Sequence, residues 1–339
     1  MPALLGAGII PSGAVGVELS AVTRRAFIPK LVVQLYKATP VLSAALANAQ
    51  TASGGVSSVT VPVQGTPMVT AQATDYTGSF NQPGAVTGIT EADFNLKAVV
   101  VPIPFLGMEG LVQLNAAVIP LIEARMNDAG NQVADYLSTQ LFTNGTPNTI
   151  NIDGFPLMVD NTQTYGNIGS RTSAGTNSWW GANARTNAVA ITRLTALADI
   201  VSAFKAAGGE MPNIGIAGPG TWTALAQNYA SLESYQITPS ASFDQSHLGA
   251  RSMFTALMVA GVPVYLEPNY PEGQTLFFNT RYFSFYIHEA AAFAFTGFAS
   301  TLPNFQLGYI GALVAVLEAI CVKPSTITQT TGYTGAVQV

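Results

Sequence analysis

Hydrophobic and polar residues alternate with period two at residues 56–64, Val-Ser-Ser-Val-Thr-Val-Pro-Val-Gln, which predicts a strand. The alternation returns over Asp93–Ile103, where Phe94, Leu96, Ala98 and Val100 are expected on one face of a second strand. Between them, residues 65–92 are rich in Gly, Thr, Gln and Pro and poor in core residues. The pattern reads as an extended hairpin, and so long an excursion in a compact domain usually binds something. The strongest helical signal covers 108–142. Leu111, Leu114, Val118, Ile122, Met126, Val133, Leu137 and Leu141 follow helical spacing, while Glu123, Arg125, Asp128, Asn131 and Asp135 fall largely on other faces. Pro120 predicts a kink and Asn144-Gly145 a stop. Such a helix reads as a spine along which other elements pack.

Residues 1 to about 50 are apolar and helix-leaning, with breaks at Pro11, Pro29 and Pro40. Phe27–Asn48 reads as a helix kinked near Pro40, part of an arm that needs a partner elsewhere. After the spine, 146–190 is a Gly, Asn, Thr and Ser-rich connector holding Trp179 and Trp180. Thr192–Ala207 predicts a second amphipathic helix ended by Gly208-Gly209. A short strand at Asn213–Ala217, a helix at Pro219–Asn228 and a loop at 229–247 follow. From Val262 to Val322, strands alternate with turns at Pro268, Pro271-Glu272-Gly273 and Pro303-Asn304, before a Thr and Gly-rich tail. The class is α+β, without internal repeats.

Composition narrows the function. Charged residues make up 9% of the 339 residues, where about 25% is usual. Two readings fit: much of the surface is buried against other chains, whose interface cores are poor in charge, or the protein is secreted with an uncharged polar surface. The net charge is −5, and the densest cationic cluster is only Arg24, Arg25 and Lys30. Salt-dependent nucleic-acid binding needs many phosphate contacts, which this chain does not supply. Cys321 is the single cysteine, expected as a buried small hydrophobe. Met1–Val17 is apolar but lacks the cationic start of a signal peptide. The nearest approach to a membrane span, Gly308–Val322, is interrupted by Glu318.

Candidate chemistry is sparse. His247, His288 and one cysteine support no zinc site. Asp153 and Asp160 around Gly154 read as turn residues capping backbone amides rather than as a catalytic pair. No Gly-x-Ser-x-Gly elbow or Gly-Lys-Ser/Thr loop occurs, and Gly6-Ala7-Gly8 lacks a preceding strand. No catalytic, cofactor-binding or metal residue is assigned, no cofactor is expected, and the chain does not read as an enzyme. Trp179, Trp180, Tyr229, Tyr235 and Phe243 sit in polar loops, as anchors or as interface hot spots. Glu123 and Arg125 fit either ion pairs with neighbours or a solvated helix face.

The order of these elements resembles the major capsid proteins of tailed double-stranded-DNA bacteriophages, the Hong Kong 97 type fold. The resemblance rests on the arm, the extended loop at 56–103 and the spine ending in Leu141-Phe142-Thr143-Asn144-Gly145-Thr146. It continues through Ile152-Asp153-Gly154-Phe155-Pro156-Leu157 and Tyr165-Gly166-Asn167-Ile168-Gly169-Ser170-Arg171 with Trp179-Trp180. The helix 192–207 with Ile214–Leu225 is similar to that family's axial domain, and Gly261–Tyr265, Gln274–Asn279 and Tyr282–His288 to its closing strands. The resemblance implies an N-terminal arm at 1–55, an extended loop hairpin at 56–103 and a peripheral domain at 104–189 containing the spine helix. An axial domain at 190–260 and closing strands with a tail at 261–339 complete it. Subunits would form pentamers and hexamers that close into an icosahedral shell around DNA bound without sequence specificity. A separate scaffolding protein, a portal and, in some shells, a decoration protein would be partners; assembly would occur in the host bacterial cytoplasm, with no membrane. Candidate assembly contacts are Tyr76, Phe80, Asn81, Glu123, Arg125, Tyr229, Tyr235 and Phe243. Some members join neighbouring subunits covalently through a lysine near the loop tip. The lysine nearest this loop is Lys97, at the base of its second strand, so that bond is not expected. The alternatives are an encapsulin-type nanocompartment shell and a secreted or surface-layer assembly protein.

Overall fold

The computed structural model describes residues 40–53, 55–65, 73, 88–106, 118–147, 150–230, 256–300 and 308–335. In chain order the elements are α1 (Pro40–Ala47), β1 (Gln50–Ala52), β2 (Ser58–Gln64), β3 (Ile89–Asn95), β4 (Lys97–Leu106), α2 (Val118–Thr143) and α3 (Phe155–Val159). There follow β5 (Asn183–Thr186), α4 (Arg193–Ala206), β6 (Ile214–Ala217), α5 (Pro219–Ala230), β7 (Leu257–Val259) and β8 (Val262–Leu266). Last come β9 (Thr275–Phe278), β10 (Phe283–His288), β11 (Ala294–Phe295), β12 (Ala299–Ser300), β13 (Gly308–Cys321) and β14 (Thr328–Thr331).

The 14-residue β13 organises one six-stranded sheet. One edge pairs antiparallel with β4, from Gly308 opposite Leu106 to Leu317 opposite Lys97. The other edge takes β10, β11 and β12 in turn, and β1 adds parallel to β10. The apolar run ending at Val322 is thus a strand covered on both edges. Glu318 and Cys321 are both fully buried in it, and burial pushes the Cys321 thiol up to about 12.

Helix α2 packs against β4 and α3, burying Met126, Ala129, Val133, Ala134, Leu137 and Leu141 at helical spacing. Its end at Thr143 lies one residue beyond the expected one; the expected start falls in 107–117, outside the described residues. Phe155 of α3 joins helix to sheet, with ring centroids 5.9 Å from Phe142, 5.0 Å from Phe278 and 4.7 Å from Phe283. The second sheet runs β5-β14-β9-β6-β8-β7. Helices α4 and α5 cover it, and Ile191, Ala196, Ile200, Ala203, Leu225, Val262, Val264 and Phe277 form its own core.

The hairpin pairs β2 with β3, from Ser58 opposite Asn95 to Gln64 opposite Ile89. The second strand differs from expectation. It breaks at Leu96, and β4 leaves the hairpin for the sheet with β13. The break changes the pleat parity. Ala92 and Phe94 are buried in β3, but Lys97, Val99, Ile103 and Phe105 in β4, while Ala98 and Val100 point outward. A one-residue slip sends every following side chain to the other face. A period-two count alone cannot see it. No helix among the described residues is long and apolar enough to cross a membrane.

Candidate assembly surface

Helix α4 begins with a reciprocal cap. Thr192 Oγ1 accepts from the Thr195 amide at 3.2 Å, and Thr195 Oγ1 accepts from the Thr192 amide at 2.8 Å. Its amphipathicity is inverted. The buried face carries Ala196, Asp199, Ile200 and Ala203. Leu194, Leu197, Val201 and Phe204 are 74%, 39%, 58% and 41% exposed. These four recur at i, i+3, i+7 and i+10, a single stripe. A buried acid fixes the roll of the helix: Asp199 Oδ1 lies 2.7 Å from Arg185 Nη1, and Oδ2 accepts from Thr275 Oγ1 at 3.1 Å and from the Tyr333 hydroxyl. Turning the leucines inward would leave that carboxylate and its three donors unpaired. The stripe therefore faces outward by construction.

A second apolar area lies where β4 meets α2. A groove of about 630 Å³ is lined by Val100, Val101, Tyr136 and Ile150 beside the polar Gln132, Asp135 and Thr139, and Ile150 is 73% exposed. Contiguous exposed apolar surface of this kind marks contact sites.

The glycine–arginine–tryptophan stretch proves to be an internal clamp. Arg171 is buried, and its guanidinium donates to the carbonyls of Trp180, Leu157 and Asp160 at 3.2 Å each, and to that of Met158. Three of these carbonyls belong to the end of α3, where orphan acceptors and the helix dipole favour a cation. Burial lowers the Arg171 pKa, and the ring of Tyr165 lies 5.2 Å from its guanidinium carbon. Trp180 is likewise an anchor, fully buried and donating from Nε1 to the Tyr165 carbonyl at 3.0 Å. Trp179 lies against the hairpin: a Cβ on Gly65 would sit 2.2 Å from its ring. Only glycine lets the backbone pass there.

The acids near Gly154 divide. Asp160 Oδ1 accepts from the amide and hydroxyl of Thr162, at 2.9 and 2.6 Å, as a turn residue should. Asp153 does not cap a turn. Its carboxylate is buried and takes the Lys97 ammonium at 2.5 Å, with Glu318 2.8 Å from the same nitrogen. Lys97 is thereby held within its own chain. Among the described residues no group of three or more His, Cys, Asp or Glu is placed to hold a metal.

The expected contact residues are distributed as follows. Arg125 donates to the Pro104 carbonyl at 2.8 Å and sits over the Phe105 ring. Tyr229 lies in the last turn of α5, half-buried, with Arg193 over its ring. Glu123 belongs to α2, though nothing of its side chain is described; Tyr76, Phe80, Asn81, Tyr235 and Phe243 lie outside the described residues. Reading the sequence missed the α4 stripe and the Lys97–Asp153–Glu318 cluster. The stripe's spacing was visible. The signal for its orientation was Asp199 flanked by Ala196 and Ala203 on the opposite face.

No family model matches the sequence, and no curated protein matches it. The fold does match solved structures. A chain of the cyanophage A-1(L) capsid asymmetric unit superposes with a TM-score of 0.66 at 15% identity, covering 87% of this chain and 93% of that one. The capsid of the native GTA particle gives 0.55 at 12% identity, covering 86% and 90%. The virus-like particle from Pyrococcus furiosus gives 0.51 at 9% identity, covering 90% and 98%. With nearly full coverage on both sides, the likeness is one of whole chains and not of a shared piece. The chain has the α+β fold of phage capsid subunits, the Hong Kong 97 type that its order of elements resembles.

Proposed function

We propose that this protein is the structural shell subunit of a tailed phage, its major capsid protein, and that it has no catalytic role toward a substrate. Copies assemble as pentamers and hexamers into an icosahedral shell around double-stranded DNA. The observation that carries the reading is the outward apolar stripe of α4 on a capsid-type fold. An isolated subunit gains nothing from exposing it. Full burial of such a side chain contributes about 1.5–3 kcal/mol, so the four half-exposed residues supply on the order of 5 kcal/mol per copy to a contact with a second copy. The charge content of 9% supports the same occupant, since interface cores exclude charge. On this reading 190–260 forms the axial contacts, and 56–103 with Tyr76, Phe80 and Asn81 lies over a neighbour. Arg125, Glu123, Tyr229, Tyr235 and Phe243 contribute further contacts. The weakly acidic chain encloses DNA without reading it, and a scaffolding protein, a portal and a decoration protein are its partners. Its final location is the virion, after assembly in the host cytoplasm.

The test is negative-stain microscopy of the purified chain, beside the double variant Leu194→Asp, Val201→Asp. Closed shells, or rings of five and six, are expected from the parent. The variant should keep its circular dichroism and melting behaviour but yield no shells. Normal shells from a folded variant would remove α4 from the assembly surface, and a parent that stays monomeric under all conditions would sink the shell reading. DNA inside the particles separates a genome shell from a nanocompartment.

A further inference from the structure

Lys97, Asp153 and Glu318 come from three separate parts of the chain and meet in the core. Lys97 opens β4, Asp153 immediately precedes Gly154 and α3, and Glu318 lies near the end of β13. They are 5%, 9% and 0% exposed. Lys97 Nζ donates to Asp153 Oδ1 at 2.5 Å. Glu318 Oε2 lies 2.8 Å from the same nitrogen but is not aligned as a hydrogen bond. Glu318 Oε1 is fixed by the backbone amides of Asp153 at 2.7 Å and Ala319 at 3.1 Å. One acid is thus locked in place, and it holds the backbone of the other.

A structural ion pair needs one carboxylate for one ammonium. Two buried carboxylates against one cation leave an uncompensated charge, so the trio is closest to neutral with a proton on one acid. Burial raises both Glu318 and Asp153 above their ordinary values. For Lys97, burial pulls downward, but the two acids outweigh it and hold the ammonium up. The neutral arrangement therefore places a cation, a carboxylate and a carboxylic acid in contact. Moving one proton from nitrogen to Asp153 turns them into an amine beside two carboxylic acids, with no net charge created in the low-dielectric interior.

We propose that Lys97 and Asp153 condense within the folded subunit into a side-chain amide, with Glu318 carrying the protons. A proton passes from the ammonium to the Asp153 carboxylate, and the freed lone pair of Nζ attacks Cγ. The C–N bond forms as the carbonyl π pair moves to oxygen, which takes the Glu318 proton. The Glu318 carboxylate then removes a proton from the nitrogen and returns it to a hydroxyl of the tetrahedral centre. That C–O bond breaks and water leaves. The last hydroxyl proton goes back to Glu318 as the carbonyl reforms. One water is lost, nothing is oxidised or reduced, and no outside reagent is used. Attack proceeds from separations of about 3–3.5 Å between reacting atoms, and Cγ lies one bond beyond an oxygen already at 2.5 Å from Nζ. The water has an exit: Lys97 and Asp153 both line an open cleft of about 1040 Å³ between β3 and the segment 147–167. The product braces the first residue of β4 to the segment that leads into α3, within one chain. It differs from a bond between neighbouring subunits, which this lysine cannot reach.

The experiment is intact-mass measurement of the folded, purified chain after denaturation, followed by tryptic mapping. The expected mass is one water below that of the sequence. Acylated Lys97 resists trypsin, so residues 38–125 should appear uncleaved at 97 and joined to 126–171. Glu318→Gln, which is isosteric and whose folding circular dichroism checks, should restore the full mass and the cleavage, as should Asp153→Asn read the same way. A full, unreduced mass in the folded parent chain overturns the proposal. So does a water loss that maps to Glu318 or elsewhere, or a water loss that persists in Glu318→Gln. These outcomes do not depend on whether the chain forms shells.

Discussion

Glu267 follows β8 at the heart of the second sheet, fully buried, and neither carboxylate oxygen has a hydrogen-bond partner among the described residues. Its backbone is well tied, donating to Ala217 and accepting from Tyr270, each at 3.1 Å. Burial pushes its pKa from 4.5 to about 8, and the nearby Asn269 amide offsets only a small part. The sign follows from linkage. Below pH 4.5 both states hold the proton and nothing changes. Between 4.5 and about 8 the unfolded chain releases it while the folded chain keeps it, so stability falls as pH rises. Above about 8 the loss is complete. Each pH step between the two values costs about 1.4 kcal/mol, giving on the order of 3–5 kcal/mol at pH 9. Glu267→Gln removes the ionisation and keeps the shape. Thermal melts of parent and variant at pH 5 and pH 9 give the answer. The variant should match the parent within about 1 kcal/mol at pH 5 and exceed it at pH 9 by several degrees. The difference between the two proteins isolates Glu267 from Glu318, whose pKa burial also raises. A variant whose advantage is the same at both pH values would refute the reasoning.

Two further substitutions test the internal clamps. Arg171→Met leaves four buried carbonyls without their donor and should cost on the order of 3–5 kcal/mol in urea unfolding. Arg171→Lys should recover little of it, because one ammonium cannot reproduce the planar fork; near-parental stability would show that water replaces the guanidinium. Gly154→Ala places a Cβ 2.6 Å from the Asn144 carbonyl oxygen and 2.7 Å from that of Gln140. Backbone at the end of α2 cannot move aside as a side chain would, so the same assay should show a loss on the order of 1–3 kcal/mol. An unchanged midpoint would mean that α2 and α3 are not held that closely in solution.

How much of this was legible in the sequence differs by element. The α2 helix, the β2 strand and the helix from about Thr192 announced themselves through local periodicity. The break at Leu96 did not. It arises because β3 and β4 answer to different partners, β2 and β13, and partner choice is not written in an alternating run. The same holds for Glu318. By hydropathy it interrupts an apolar stretch, yet its position is set by a lysine in β4 that only the sheet register brings opposite Leu317. Asp153 looked like a turn residue because turns and buried ion clusters draw on the same amino acids. What separates them is burial, a property of the whole fold.

The low charge content acquires a physical meaning from where the cations go. Lys97 is buried against two acids, and Arg171 against four carbonyls. Arg185 pairs with buried Asp199 and Lys323 with Glu210, while Arg125 binds the Pro104 carbonyl. Arg193 and Arg281 lie over Tyr229 and Tyr282. Among the described residues most basic side chains thus serve the interior and the joints between elements, while Arg193, Lys205 and Arg281 remain exposed. A lone molecule built this way would present an uncharged polar coat interrupted by Leu194, Leu197, Val201, Phe204 and Ile150, a surface that favours association over solubility. The orientation of α4 shows that this is not residual exposure that any protein carries. The sequence places the acid inside with three donors and the apolar stripe outside, where it is free to meet another surface. On the proposed reading, the packing of α4 supplies one surface for self-association, in keeping with the likeness of the fold to capsid chains.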